Sequence, residues 1–538
     1  MLIFKRWRVF VLGSKLKISV IFVVLALLLS ACAQNGSKTA SDGYKYNHEM
    51  NVIDDNYRTY YEVFVYSFCD SNGDGIGDLN GLISKLDYIS DMGFNGIWLM
   101  PIMPSTTYHK YDVIDYYSID KQYGTLDDFK RLIEECNKRD IKVIIDLVLN
   151  HTSTQSEWFK SAVSALEKGQ DSKYIGWYNF QKGKPASDAW YKAGNSEWCY
   201  EAKFWEGMPD LNLGNEELRA EIEKIAKFWL DLGVGGFRLD AAKEYYSGNA
   251  EKNIEVLKWF TDYCKSVKKD CYLVAEVWDG FSAFSKYYQS GIDSLFNFSF
   301  GQATGKITTT LNMAGSANSA KSYADALCFA QKTFLSYNPN AIDAPFFTNH
   351  DTGRAAGYFS YNADKIKLAW GMNLTMSGSA FVYYGEEIGM TGSGRDENKR
   401  APMFWSNSNK EGMTNPPPNM ETQENHFAPV DEQLKDNTSI LNYVKRAIRL
   451  RNENPELARG ILTIIPLEDE ETCAVLKSYD NSSIIVVYNL SETEKQVTIK
   501  KSDFAYDGIR GYLSVNSQEP NLDGETLTMP AYAIVILK

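Results

Sequence analysis

The sequence predicts an α/β protein: a (β/α)8 TIM barrel with an inserted subdomain after strand 3 and a C-terminal antiparallel β-sandwich domain. Three observations carry this expectation. Strand-like and helix-like segments alternate from about residue 57 to 455, the pattern of a parallel sheet covered by helices. The segment 152–215 breaks the alternation, being rich in Trp, Tyr, Lys and Gly without a clean helical period. Beyond about 458 only short β segments remain. The domains expected are a barrel in two parts, 47–151 and 216–457, an insertion at 152–215, and a β domain at 458–538.

The elements follow in order. Tyr60–Phe68 reads as the first strand. Leu82, Leu86 and Ile89 recur at helical spacing, and Gly93 is a helix stop. Gly96–Met100 is the second strand, and Phe129–Lys138 is helical. Lys142–Val148 is a third strand, apolar at its centre as a strand buried on both faces should be. Leu218, Ile222, Ile225 and Trp229 mark a helix before a strand at Gly235–Asp240. Tyr272–Glu276, Ser294–Phe298, Pro345–Asn349 and Phe381–Tyr384 complete eight strands. Asn442–Arg451 is the last long helix. Leu462–Ile465, Ala474–Tyr479, Ile484–Tyr488, Gln496–Ile499 and Ala531–Leu537 form the terminal β domain.

A chain of 538 residues with 44% hydrophobic and 14% aromatic content can bury a large core. The net charge of −13 argues against nucleic acid and against a polybasic membrane contact, not against a neutral substrate. The N-terminus has the pattern of a secretory signal over 1–31. Lys5, Arg6, Arg8, Lys15 and Lys17 precede an apolar run, Ile18–Leu29, which is shorter than the roughly 20 residues a membrane span needs. Leu29-Ser-Ala-Cys32 resembles a bacterial lipoprotein cleavage box. Cys32 would carry the lipid, and 32–46 would be a flexible tether. The expected location is therefore outside the cytoplasm, anchored to the membrane through that lipid alone. The other seven cysteines have no regular spacing and read as scattered free thiols.

The chemistry concentrates at strand ends. Gly236-Phe-Arg238-Leu-Asp240 places an arginine and a carboxylate two residues apart, on one face of a strand, where the cation keeps Asp240 ionised. Glu276 closes an apolar strand and precedes Trp278, so desolvation should raise its pKa. Asp351 closes Ala344-Pro-Phe-Phe-Thr-Asn-His-Asp. A carboxylate kept anionic beside one kept protonated suits acid/base and nucleophilic attack on a glycosidic bond.

These stretches resemble the signature regions of glycoside hydrolase family 13, the α-amylase family. They are Asp146-Leu-Val-Leu-Asn-His151, Gly236–Asp240, Glu276-Val-Trp278 and Phe347-Thr-Asn-His-Asp351, with Met208-Pro-Asp-Leu-Asn212 as a fifth. The resemblance implies Asp240 as nucleophile, Glu276 as general acid/base and Asp351 as transition-state stabiliser. It implies that His151 and His350 bond sugar hydroxyls, and that Tyr111 and Asp112 contact the reacting ring. Arg354 would hold Asp112 or the substrate, and Lys243 the leaving-group side. Lys110 stands where the family usually has Gly, and Glu244 where amylases often have His.

Asp70, Asn72, Asp74, Ile76 and Asp78 follow the ligand rhythm of a calcium loop, with oxygen side chains at positions 1, 3, 5 and 9 and a carbonyl from Ile76. Gly81 stands where an EF-hand needs Glu, so the loop resembles the structural Ca2+ loop of oligo-1,6-glucosidase-like members instead. With the fifth region, this loop resembles that of a branch intermediate between oligo-1,6-glucosidases and neopullulanases. The implied activity is retaining hydrolysis of α-1,4 bonds in starch and maltooligosaccharides, with pullulan or cyclodextrin as further α-glucan substrates. A 4-α-glucanotransferase shares the covalent intermediate and is the alternative. A non-catalytic glycan-binding lipoprotein would be expected to have lost an acid, and all three are present.

Overall fold

The strands are numbered in chain order. β1 (Thr59–Val63), β2 (Gly96–Leu99) and β3 (Lys142–Leu147) open the barrel, and β4 (Phe180–Lys182), β5 (Trp190–Lys192) and β6 (Trp198–Glu201) belong to the insertion. The barrel resumes with β7 (Gly236–Leu239), β8 (Tyr272–Ala275), β9 (Ser294–Phe296), β10 (Ile342–Ala344) and β11 (Ala380–Tyr383). These eight pair in parallel in the order β10-β9-β8-β7-β3-β2-β1-β11. The two end strands meet through a parallel bridge between Phe346 and Phe381, with Phe381 N–H donating to Pro345 O at 2.9 Å. This computed structural model describes residues 56–538 apart from residue 186 and residues 315–318. The leader, Cys32 and the tether lie outside the described residues.

The barrel interior is a packed aromatic core. Tyr60, Trp98, Ile144, Tyr272, Phe296, Phe346 and Phe381 form one buried cluster, and Tyr60 stacks between Tyr272 and Phe381 at 5.3 and 4.8 Å. Large rings fill the space that eight short strands enclose, so the chemistry must sit above this plug. Several covering helices start at side-chain caps. Thr125 and Asp128 form a capping box for Leu126–Asn137, Asn215 caps Glu216–Asp231, and Asn249 caps Ala250–Val267.

Pairing register sets the site. β3 against β7 places Asp146 opposite Arg238, and β7 against β8 places Leu239 opposite Ala275, so Asp240 and Glu276 leave neighbouring strand ends together. Gly236 is needed for this approach, because a Cβ there would lie 1.8 Å from the Tyr272 carbonyl oxygen.

The structure differs from the sequence reading at several elements: β1 stops at Val63, short of the expected Phe68, and the terminal domain has eight strands where five were expected. The seventh barrel strand, β10, ends at Ala344 and does not run over the expected Pro345–Asn349. Asp351 therefore sits on a loop rather than at a strand tip. The insertion also contains a full helix, Glu157–Lys168, capped by Ser156. Its buried face is Phe159, Ala162 and Ala165, mostly small residues that give a weak periodic signal. The three insertion strands form an antiparallel sheet in the order β4-β6-β5, tied to the barrel by an antiparallel bridge between His151 and Asp210.

The C-terminal domain has two antiparallel sheets. β12 (Ile461–Ile465), β13 (Thr472–Tyr479), β14 (Ser482–Asn489), β15 (Lys495–Thr498), β16 (Ile509–Ser514), β17 (Asn521–Asp523), β18 (Thr526–Met529) and β19 (Ala533–Leu537) pair as β12-β13-β14-β19-β16 and β15-β18-β17. Their inner faces close on Ala474, Ile485, Val487, Val497, Leu527 and Val535. The seven described cysteines are all free thiols, and six are buried.

Candidate active site

A cavity of about 490 Å3 opens at the C-terminal ends of the barrel strands. Asp240, Glu276 and Asp351 line it with His109, Tyr111, His151, Phe204, Trp205, Met208, Trp278, Lys399 and Arg400. The structure thus brings the three acids of the sequence reading to one cleft.

Arg238 organises the floor. It is fully buried, and Nη1 contacts Asp240 Oδ1 at 2.6 Å and Asp146 at 3.0 Å, while Nη2 contacts Glu276 Oε2 at 2.7 Å. One cation therefore serves three carboxyl groups. Burial raises Glu276 to about 7, Asp240 and Asp351 push the same way, and Arg238 opposes them. Burial raises Asp146 to about 7 as well. Ala241 adopts φ 46°, and its N–H donates to Glu276 Oε2 at 3.1 Å.

Asp351 has the opposite environment. Burial alone would raise it, but His350 and Arg400 hold it well below the usual carboxylate range. Arg400 Nη2 lies 3.0 Å from Asp351 Oδ1, and His350 Nε2 lies 3.0 Å from Oδ2. His350 Nδ1 meets Glu62 at 2.6 Å. Burial lowers the His350 pKa, yet Asp351 and Glu62 outweigh it and raise the ring to about 9. The imidazolium is thus locked between two carboxylates.

Several expected contacts need correction. His350 is fully buried and its ring nitrogens face Glu62, Tyr111 and Asp351, so it backs the wall rather than lining the cavity. Asp112 is buried and accepts from the hydroxyls of Ser105, Thr106 and Thr107, and it does not reach the cavity. Burial would raise its pKa, and these hydroxyls hold it low instead. Arg354 meets neither Asp112 nor the cavity. It is buried against the carbonyls of Tyr384 and Lys399 and lies 3.5 Å from Glu386. Lys243 sits at the rim, donating to Trp278 O at 2.9 Å and to Asp279 at 3.3 Å, which steadies the Trp278 loop.

His151 and Tyr111 do line the cavity. His151 Nε2 is buried without a protein partner, as expected of an atom awaiting a ligand hydroxyl. Tyr111 donates to Asp146 at 3.0 Å and bonds His350 Nε2 at 2.7 Å. Of the five insertion tryptophans, Trp205 alone lines the cavity. Sequence reasoning missed His109, Phe204, Lys399, Arg400 and Glu62. Glu62 carried a signal, as the single carboxylate in the apolar strand Thr59–Val63. Lys399 and Arg400 carried none, since only folding brings their loop to Asp351.

In the Asp70–Asp78 loop, Asp70 accepts the N–H groups of Asn72, Gly73 and Gly75 at 2.7–2.9 Å. Asn72 accepts from Asp74 N–H and Asp74 from Ile76 N–H, both on the exposed side of the loop. Asp78 accepts from Ser71 and from Gly81 N–H. Among the described residues no group of three or more His, Cys, Asp or Glu side chains forms a metal cluster. The set expected from the sequence also counts Asn72 and the Ile76 carbonyl, and its all-oxygen chemistry suits a hard cation. None of these residues lines the cavity of the three acids.

A sequence model of the alpha-amylase catalytic domain matches residues 62–460. The chain belongs to this family. It is an α-amylase family glycoside hydrolase. It is 41% identical to alpha-amylase 3 of Dictyoglomus thermophilum over 453 residues, covering 83% of this chain and 88% of that one. A probable oligo-1,6-glucosidase 2 of Bacillus subtilis is 30% identical, with 81% and 90% covered. Among solved structures, Eubacterium rectale Amy13B superposes with a TM-score of 0.88 at 46% identity, covering 91% of this chain and 97% of that one.

Proposed function

We propose that this glycoside hydrolase cleaves α-1,4-glucosidic bonds of starch and maltooligosaccharides with retention of configuration. Asp240 is the nucleophile, Glu276 the general acid/base and Asp351 the stabiliser of the developing positive charge. The observation that carries the reading is the shared guanidinium, with Asp240 on Arg238 Nη1 and Glu276 on Nη2. Such proximity suits a retaining pair, about 5–5.5 Å apart, rather than the about 6.5–9.5 Å of an inverting pair.

The steps follow from the charges. Glu276, raised to about 7, holds a proton for the leaving oxygen. Asp240 attacks C1, and the C1–O bond breaks as a glycosyl ester forms. Glu276, now a carboxylate, takes a proton from water, which attacks C1 and frees Asp240. Asp351, kept anionic by His350 and Arg400, faces the oxocarbenium-like transition state throughout. His151 Nε2 bonds a hydroxyl of the reacting ring, and Tyr111 offers a ring face. The resemblance to an alpha-amylase at 41% identity favours α-1,4 bonds. The likeness to an oligo-1,6-glucosidase keeps α-1,6 bonds as an outcome of the test. Transfer to a sugar acceptor would use the same intermediate, and the half-exposed Phe204, Trp205 and Trp278 at the cavity mouth favour that alternative.

Calcium would be held by Asp70, Asn72, Asp74, Ile76 and Asp78, with a structural role after β1. Cys32 would anchor the enzyme outside the cytoplasm. The experiment is maltoheptaose followed by chromatography, with Asp240→Asn alongside. Shorter maltooligosaccharides alone, lost in the variant, support the hydrolase. Longer products indicate a transferase. Turnover of isomaltose-type substrates in place of maltoheptaose overturns the linkage.

A further inference from the structure

Lys110 combines two features that rarely coincide. Its φ is 65°, in the left-handed region where a side chain is strained. It is also, at 1% exposure, among the most buried of the described lysines. Both persist only where the surroundings hold them. Lys110 Nζ pairs with Asp120 Oδ2 at 2.9 Å, donates to Gln122 Oε1 at 2.8 Å, and sits 5.1 Å from the centre of the Tyr123 ring. Asp120 is itself buried and fixed, its Oδ1 accepting Gln122 N–H at 2.9 Å and its N–H donating to Ile102 O at 2.8 Å.

The neighbours of Lys110 show what is held. His109 and Tyr111 both line the cavity of Asp240 and Glu276, while Lys110 between them points into the protein. The turn at Lys110 thus sends His109 and Tyr111 to the cavity side and Lys110 to the buried Asp120. The turn is closed by Tyr111 N–H donating to His109 Nδ1 at 3.2 Å. That bond makes Nδ1 the acceptor and leaves the proton on Nε2, so His109 is a fixed-tautomer donor. His109 also borders an adjoining groove with Tyr108, Arg395 and Asp396.

We propose that Lys110 is a positioning residue for the reaction: its buried pair with Asp120 pins the His109–Tyr111 turn so that both side chains face the substrate. The inference rests on the active-site reading above. It assigns to Lys110 what a glycine at this position could not do, since glycine accepts the φ but allows the turn to move.

The test compares Lys110→Gly/Asp120→Asn with Lys110→Arg and with the unmodified enzyme. The double variant removes the pair without leaving a lone buried carboxylate. Two readouts are taken. The first is kcat and KM on maltoheptaose. The second needs no substrate: histidine NMR of His109, one of only five histidines. In the pinned turn, burial and the Arg400 charge hold His109 down at about 4, against Asp112, Asp396 and Asp351, which act the other way. In the folded double variant the expected results are a kcat lower by about tenfold with KM changed less, and a His109 titration moved toward 6.5. Lys110→Arg, which keeps a cation for Asp120, should restore both. A folded double variant with wild-type kcat and an unmoved His109 titration overturns the proposal. So does a loss of activity with the His109 titration unmoved. An unmodified enzyme inactive on maltoheptaose would overturn the α-1,4 reading, while the NMR result would still decide the role of Lys110.

Discussion

Arg400 Nη2 lies 3.0 Å from Asp351 Oδ1, so residues 49 apart in sequence meet at the cavity wall. Arg354, three residues after Asp351 in sequence, turns away into backbone carbonyls and toward Glu386. The two arginines therefore do different work. Arg400→Leu should lower kcat by about 100-fold, through loss of charge control at Asp351, with modest change in melting temperature. Arg354→Leu should instead cost about 3 kcal/mol or more, because Glu386 is left buried without its cation. Steady-state kinetics and thermal melts on both variants separate these outcomes.

The pH dependence of activity follows from Glu276. Its folded pKa is raised to about 7 by burial, and the protonated form is the acid. kcat/KM should therefore fall as pH rises through about 7. Asp240 and Asp351 both raise Glu276 in the free enzyme, so Asp351→Asn should move this alkaline limb to lower pH. A pH–rate profile of both enzymes checks the shift.

Stability has its own pH signature from His350. Its folded pKa is about 9, above the ordinary 6.5, so the folded state binds the proton more tightly. The contribution is fully present below about 6.5 and is lost as pH rises through about 9. For a ring this buried it is on the order of 3 kcal/mol. Glu276 and Asp146 are also raised, and their contribution is lost between about pH 4 and 7. Urea unfolding between about pH 7.5 and 9.5 isolates the histidine, and Glu62→Gln should flatten the decline.

Gly236→Ala tests the strand register that gathers the acids. The new Cβ would lie 1.8 Å from the Tyr272 carbonyl oxygen, so β7 and β8 must part. A loss of about 3 kcal/mol or more is expected, with activity falling more than Ile97→Val, a conservative barrel control. Melting curves and specific activity measure both effects.

Calcium removal should act on stability, not on chemistry. Chelation should lower the melting temperature by several degrees and leave initial rates at 25 °C nearly unchanged, because the Asp70–Asp78 loop is separate from the cavity. Asp74→Ala should abolish the calcium-dependent part of the shift. Calorimetry with and without calcium reads it.

The parts legible in sequence were those written locally. Alternating apolar segments gave the barrel and the terminal β domain, and Arg238-Leu-Asp240 gave a strand face whose pairing the structure shows. Long-range features were not legible. The register that sets Asp146 against Arg238 depends on strand pairing across the whole inserted segment 152–215. Arg400 reaches Asp351 only through the loop after β11. Conversely, the family resemblance implied substrate roles for Arg354 and Asp112, yet their side chains are consumed by local carbonyls and hydroxyls. Helix Glu157–Lys168 was hidden because alanines form most of its buried face.

The most direct test of the account is the anomeric configuration of the first product. Proton NMR should follow maltoheptaose hydrolysis within the first minutes, before mutarotation, for the unmodified enzyme and for Asp240→Asn. The account predicts the α-anomer from the unmodified enzyme and a rate lower by at least about 10,000-fold in the variant. Initial release of the β-anomer, or an Asp240→Asn enzyme that still turns over, would contradict it.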